Sequence, residues 1–148
     1  MYEVEVKDSE RVNKYKNLTF SDFQKIVLAL AAKDTSAHPE EFKKEKSLLG
    51  HCTIVAILFQ DIWGGDIMRA CLDNVPGFES IKWHSWNRLA DGTELDFIKI
   101  HLNKELPKNL PVRVVKREEL FTYSGIEKRY QLFKSRFDDL LLEKNRLK

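Results

Sequence analysis

Two cysteines in 148 residues are too few for the disulfide framework of a small secreted domain, which uses four or more. Whether Cys52 and Cys71 pair depends on where the fold places them. The charged stretch over residues 1–17 contains no apolar segment of the secretory type, so two reduced thiols in a cytoplasmic protein are expected. The most apolar run, residues 53–63, is too short to span a bilayer, and no membrane association is expected. No C-x-x-C or H-x-x-x-H pair occurs, and His51 and Cys52 are adjacent, so a zinc centre would need ligands gathered from distant segments. A glycine-rich phosphate loop and a dinucleotide fingerprint are also missing. No cofactor or metal is therefore expected.

Blocks of one charge sign are scarce as well. The 25 basic and 23 acidic residues leave a net charge of +2, and stretches such as Lys43-Lys44-Glu45-Lys46 carry their own counter-charges. That pattern lacks the electrostatic footprint of a nucleic-acid surface and argues against such a partner. The expected partner is a small molecule or a peptide, and oligomeric state is left open.

What is present is an ordinary globular composition, 43% apolar and 32% charged, at the length of one domain over residues 1–148. Residues 1–17 begin with alternating Tyr2, Val4 and Val6 and read as an edge strand or a loosely attached arm. Ser21 followed by Gln24 is a capping-box pattern ahead of Phe23, Ile26, Val27 and Leu30, so a helix is predicted over residues 22–33. Residues 34–49 read as a loop with room for one short helix. From Cys52 to Trp63 nearly every position is apolar, which predicts a helix buried all round and stopped by Gly64-Gly65.

Beyond the glycines, residues 66–70, 81–89, 93–100 and 112–115 read as strands of a mostly antiparallel sheet. Ala90-Asp91-Gly92 joins the middle two as a hairpin. Ile126, Tyr130, Phe133, Phe137, Leu140 and Leu141 then recur at helical spacing, giving an amphipathic C-terminal helix that closes the core. The fold class is α+β, with a central buried helix packed on the sheet.

Cys52 begins the most apolar helix, where unpaired backbone amides and the positive end of the helix dipole favour a thiolate. A nucleophilic cysteine also needs a base and a group that orients the base. His84 supplies the imidazole, and hairpin register decides which carboxylate reaches it. A two-residue turn would put Asp96 on the opposite face of the sheet from His84. A three-residue turn with Gly92 in the left-handed region pairs Trp86 with Asp96 and makes His84 its diagonal neighbour. The latter register is the one predicted, and it leaves Asn87, the other candidate to orient the imidazole, on the far face.

Taken in order, Gly50-His51-Cys52, Gln60-Asp61, Gly64-Gly65-Asp66-Ile67, His84-x-Trp86-Asn87-Arg88 and Asp91-Gly92-Thr93-Glu94-x-Asp96 resemble the YunG-like family of small bacterial proteins over roughly residues 46–102. More distantly, a cysteine on a helix followed by histidine and aspartate on strands is similar to the papain-like and transglutaminase-like architecture. The resemblance implies a Cys52–His84–Asp96 site. The family pattern carries glutamine before the cysteine where this chain has His51, which would then face the oxyanion, with Trp86 and Asn87 beside the substrate.

Two functions are compatible with these residues. One is a thiol-dependent hydrolase or acyltransferase acting on an amide, ester or thioester. The other is a small-ligand or peptide-binding, regulatory protein on the same scaffold without turnover.

Overall fold

The computed structural model describes residues 14–78, 81–102 and 104–146. Most of the expected N-terminal strand or arm, residues 1–13, lies outside them. Helix α1 (Phe20–Leu30) begins two residues earlier than the capping box suggested, because Thr19 Oγ1 accepts the Asp22 N–H at 3.0 Å. Thr19 thereby satisfies an amide that the first helical turn leaves free.

Three single turns of 3-10 helix, Lys33–Thr35, Pro39–Glu41 and Lys44–Lys46, fill the polar stretch that follows. Next comes α2 (Cys52–Trp63), with the limits its composition implied. It stops where Gly64 adopts φ +80° and its N–H returns to Gln60 O at 2.8 Å, a conformation glycine takes without steric cost.

Strands β1 (Asp66–Cys71), β2 (Trp83–Arg88), β3 (Glu94–Leu95) and β4 (Arg113–Val115) form one sheet in the order β3-β2-β1-β4, each pair antiparallel. The chain ends in a short helix α3 (Arg117–Leu120) and the long α4 (Ile126–Arg146).

One expectation needs correction here. The run predicted as a strand over residues 93–100 pairs only at Glu94–Leu95. Asp96 Oδ1 then accepts the Ile98 N–H at 3.1 Å, a side-chain turn that competes with the ladder, and the chain coils into a 3-10 turn at Lys99–His101.

The apolar character of α2 on every side follows from its surroundings, since β1 and β2 pack on it as well as α4. Ile54, Ile57, Leu58 and Phe59 are fully buried, each contributing on the order of 1.5–3 kcal/mol relative to exposure. At its C-terminal end Phe59 meets Phe20, Phe23, Trp63 and Phe97 with ring centroids 4.8–5.9 Å apart. From the other side α4 inserts Tyr130, Phe133 and Phe137, all buried. The N-terminus of α2 lies against β2, where Cys52 Sγ is 3.6 Å from Trp83 O.

Candidate functional site

The β2–β3 turn sets the register on which the site depends. Leu89 N–H donates to Thr93 O at 2.8 Å and Gly92 N–H to Leu89 O at 2.9 Å, so Ala90, Asp91 and Gly92 form a three-residue turn with Gly92 at φ +92°. Asn87 then pairs with Leu95 and Arg88 with Glu94. Continuing that register by one residue sets Asp96 opposite Trp86 and diagonal to His84 on the same face. His84 Nε2 lies 2.6 Å from Asp96 Oδ2.

Because Asp96 Oδ1 already accepts from Ile98, both carboxylate oxygens are engaged and the group has little freedom to turn. A carboxylate only accepts, so we assign the ring proton to Nε2. Nδ1 is then left for another partner; it is buried, and the Cys52 thiol is the group that interacts with it.

Cys52 approaches from the helix. Gly50 takes φ +89°, and a Cβ there would collide with Ser36 Oγ; only glycine brings the chain this close to the loop before α2. His51 caps the helix through its backbone, its carbonyl accepting the Val55 N–H at 3.0 Å. Cys52 is consequently the first helical residue, beside amides with no intrahelical acceptor. Its Sγ sits 3.6 Å from Trp83 O, at the part of β2 that the two-residue β3 leaves uncovered. Thr53 Oγ1 and Ser85 Oγ, 3.1 Å apart, tie the next residue of the helix to the same strand.

The two side chains perturb each other. Burial opposes a charge on the Cys52 thiol, but the His84 imidazole outweighs it and the thiol pKa falls below its ordinary value. Burial likewise disfavours a proton on His84, yet the Asp96 hydrogen bond and the Cys52 sulfur raise its pKa to about 10. Both shifts favour thiolate beside imidazolium. Cys52 also lines a cleft of about 540 Å³, with 8% of its own surface exposed.

The structure thus brings Cys52, His84 and Asp96 together. The three residues expected to surround them have other surroundings, which corrects the sequence reading. His51 is fully buried, with Nε2 2.7 Å from Thr35 Oγ1 and its ring between Phe42 and Phe133. It faces the core and cannot reach an oxyanion beside Cys52. Burial depresses its pKa to about 4, so it is neutral near pH 7.

Trp86 does not line the cleft. It stacks on His84 and donates its indole N–H to Glu94 Oε1 at 2.6 Å, whereas Trp83 forms part of the cleft wall. Asn87 is buried and donates to Ala56 O at 3.0 Å, pinning α2 to β2 on the face away from the imidazole. Both cysteines are free, Cys71 being exposed.

Thr53, Ser85 and Arg69 were not recognised from sequence. Only Arg69 carries a signal, a charge in the middle of Asp66-Ile67-Met68-Arg69-Ala70-Cys71. Among the described residues no group of three or more His, Cys, Asp or Glu side chains is placed to hold a metal ion, and no helix is long and apolar enough to cross a membrane.

A family model described as YunG protein matches residues 19–142, most of the chain and every residue of the site. Searches of curated proteins and of solved structures found no match.

Proposed function

The chain belongs to the YunG family, and from its site we propose that it is a thiol-dependent enzyme of the acyl-transfer class, acting on an amide, ester or thioester. The observation that carries this reading is the His84–Asp96 pair at 2.6 Å, with the remaining ring nitrogen buried and left to a thiol whose pKa His84 lowers despite burial. The order of cysteine on a helix start, histidine on a strand and aspartate just past the end of the next strand resembles that of papain-like and transglutaminase-like enzymes, and that likeness supports the same roles.

In this mechanism the Cys52 thiolate attacks the substrate carbonyl carbon and the carbonyl π electrons move onto oxygen. The backbone N–H at the start of α2 stabilises that oxyanion. As the tetrahedral intermediate collapses, the bond to the leaving amine, alcohol or thiol breaks and His84 Nδ1–H protonates it. Water or an acceptor nucleophile, deprotonated by Nδ1, then attacks the acyl-enzyme and releases Cys52. Asp96 holds the imidazole in the required tautomer throughout and compensates its charge.

The test is alkylation of Cys52 by iodoacetamide as a function of pH, resolved from Cys71 by mass spectrometry. An apparent pKa well below the free-thiol value of about 8.5, restored toward it in His84→Ala, is the expected result. A thiol that titrates normally whether or not His84 is present would end the catalytic reading.

A second reading, ligand binding without turnover, is favoured by the depth of Cys52, only 8% exposed. Cys52→Ala separates the two, abolishing a reaction but sparing most ligand binding.

A further inference from the structure

Arg69 stands in the middle of β1 with 7% of its surface exposed, and its Nε is buried without a hydrogen-bond partner among the described residues. No described residue supplies an acceptor to its other nitrogens either. Buried arginines are ordinarily paired with a carboxylate. Instead, the guanidinium carbon lies 4.6 Å from the Trp83 ring centroid and 4.8 Å from that of Tyr123. Two rings orient the guanidinium without neutralising it.

The carboxylate that senses its charge, Glu119, is already committed. It accepts from Arg113 Nη1 and Nη2 at 3.1 and 2.5 Å and from Tyr123 OH at 2.7 Å.

Arg69 lines the same cleft as Cys52. One residue connects them, since Trp83 offers its carbonyl to Cys52 Sγ and its ring to Arg69. A molecule of modest size can therefore touch both. The remaining wall is cationic, with Lys43, Lys82 and Arg129 present and Glu41 the one carboxylate among the described lining residues.

We infer that the cleft is an anion-binding site in which Arg69 receives a carboxylate or phosphate group of the molecule whose carbonyl meets Cys52. The substrate class is accordingly an anionic amide, ester or thioester. The guanidinium fork matches two oxygens of either group, and such a group would give the buried Nε the acceptor it lacks. The reactive part of this inference rests on the thiol reading above, whereas anion binding does not.

The experiment keeps the two apart. The Arg69 Nε–H resonance of the wild-type protein is followed by NMR during titration with succinate and, separately, with inorganic phosphate in low-salt buffer. A saturable shift with succinate alone assigns a carboxylate, and one with phosphate alone assigns a phosphate. Absence of a saturable change with either anion overturns the inference without reference to Cys52 or to any variant.

In parallel, Cys52 is alkylated with anionic iodoacetate and with neutral iodoacetamide. The ratio of the two rates is expected to fall roughly tenfold in Arg69→Gln, the loss of one charge-assisted hydrogen bond, with Arg69→Lys in between. An unchanged ratio in a folded Arg69→Gln protein also overturns it. If Cys52 proves inert to both reagents while the titration saturates, the thiol reading fails and the anion site stands.

Discussion

Trp86 lies against His84 with ring centroids 5.4 Å apart and planes 28° from parallel, while its indole N–H is held by Glu94 Oε1 at 2.6 Å. The segment after the turn therefore contributes twice to the imidazole, through Asp96 directly and through Glu94 by way of Trp86. Trp86→Phe keeps a ring on the histidine and is expected to leave Cys52 alkylation near wild type, at a stability cost of about 1 kcal/mol for the lost hydrogen bond. Trp86→Ala is expected to cost roughly 3 kcal/mol and to slow alkylation although all three site residues remain. Equal alkylation rates in Trp86→Ala and wild type would show that Asp96 alone holds the ring.

Asp96→Asn removes the charge that stabilises imidazolium while keeping the side-chain shape. The His84 pKa falls and the Cys52 pKa rises with it. Each pH unit by which the thiol pKa climbs above neutrality lowers the thiolate fraction near pH 7 by about tenfold. The iodoacetamide rate profile should move to higher pH by about one pH unit or more. A profile that stays in place would remove Asp96 from the mechanism.

His51 makes folding sensitive to acid. Its pKa falls from an ordinary 6.5 to about 4 because burial disfavours the charged ring. Between those values the unfolded chain binds a proton that the folded protein refuses. The sign follows: stability contributed by this group is full above pH 6.5 and is lost as pH falls toward 4, by about 3 kcal/mol in all. Urea midpoints measured across that window should fall less steeply in His51→Gln than in wild type. Parallel pH dependences in the two proteins would contradict a neutral, buried His51.

Asn87 joins α2 to β2 through its bond to Ala56 O. Asn87→Ala is expected to destabilise by about 1–2 kcal/mol. Asn87→Asp should cost more at neutral pH, because it sets a buried carboxylate against a carbonyl oxygen. Chemical unfolding orders the three proteins, and an aspartate variant as stable as the alanine one would rule out the carbonyl contact.

Local features of the chain were enough for α2, since a run with no polar face has to be buried on every side, and Gly64 stops it without help from elsewhere. The register of His84 and Asp96 was not local in this sense, because Asp91-Gly92 also suits a two-residue turn, and the three-residue turn was predicted from what a Cys52–His84–Asp96 site requires. Local competition was harder to read. Thr19 rather than Ser21 caps α1, and Asp96 bends the chain out of the sheet by bonding Ile98, although its neighbours favour a strand.

Only the tertiary structure decided the environments. The neutrality of His51 comes from burial, with Phe133 of the last helix against its ring, and from the Arg129 charge, and the pairing of Arg69 with two aromatic rings comes from Trp83 and Tyr123. Residue type and spacing determine what a segment can form. The proton affinity or unmet charge of a buried group depends on atoms brought to it from distant parts of the chain, and those are specified only once the whole core has packed.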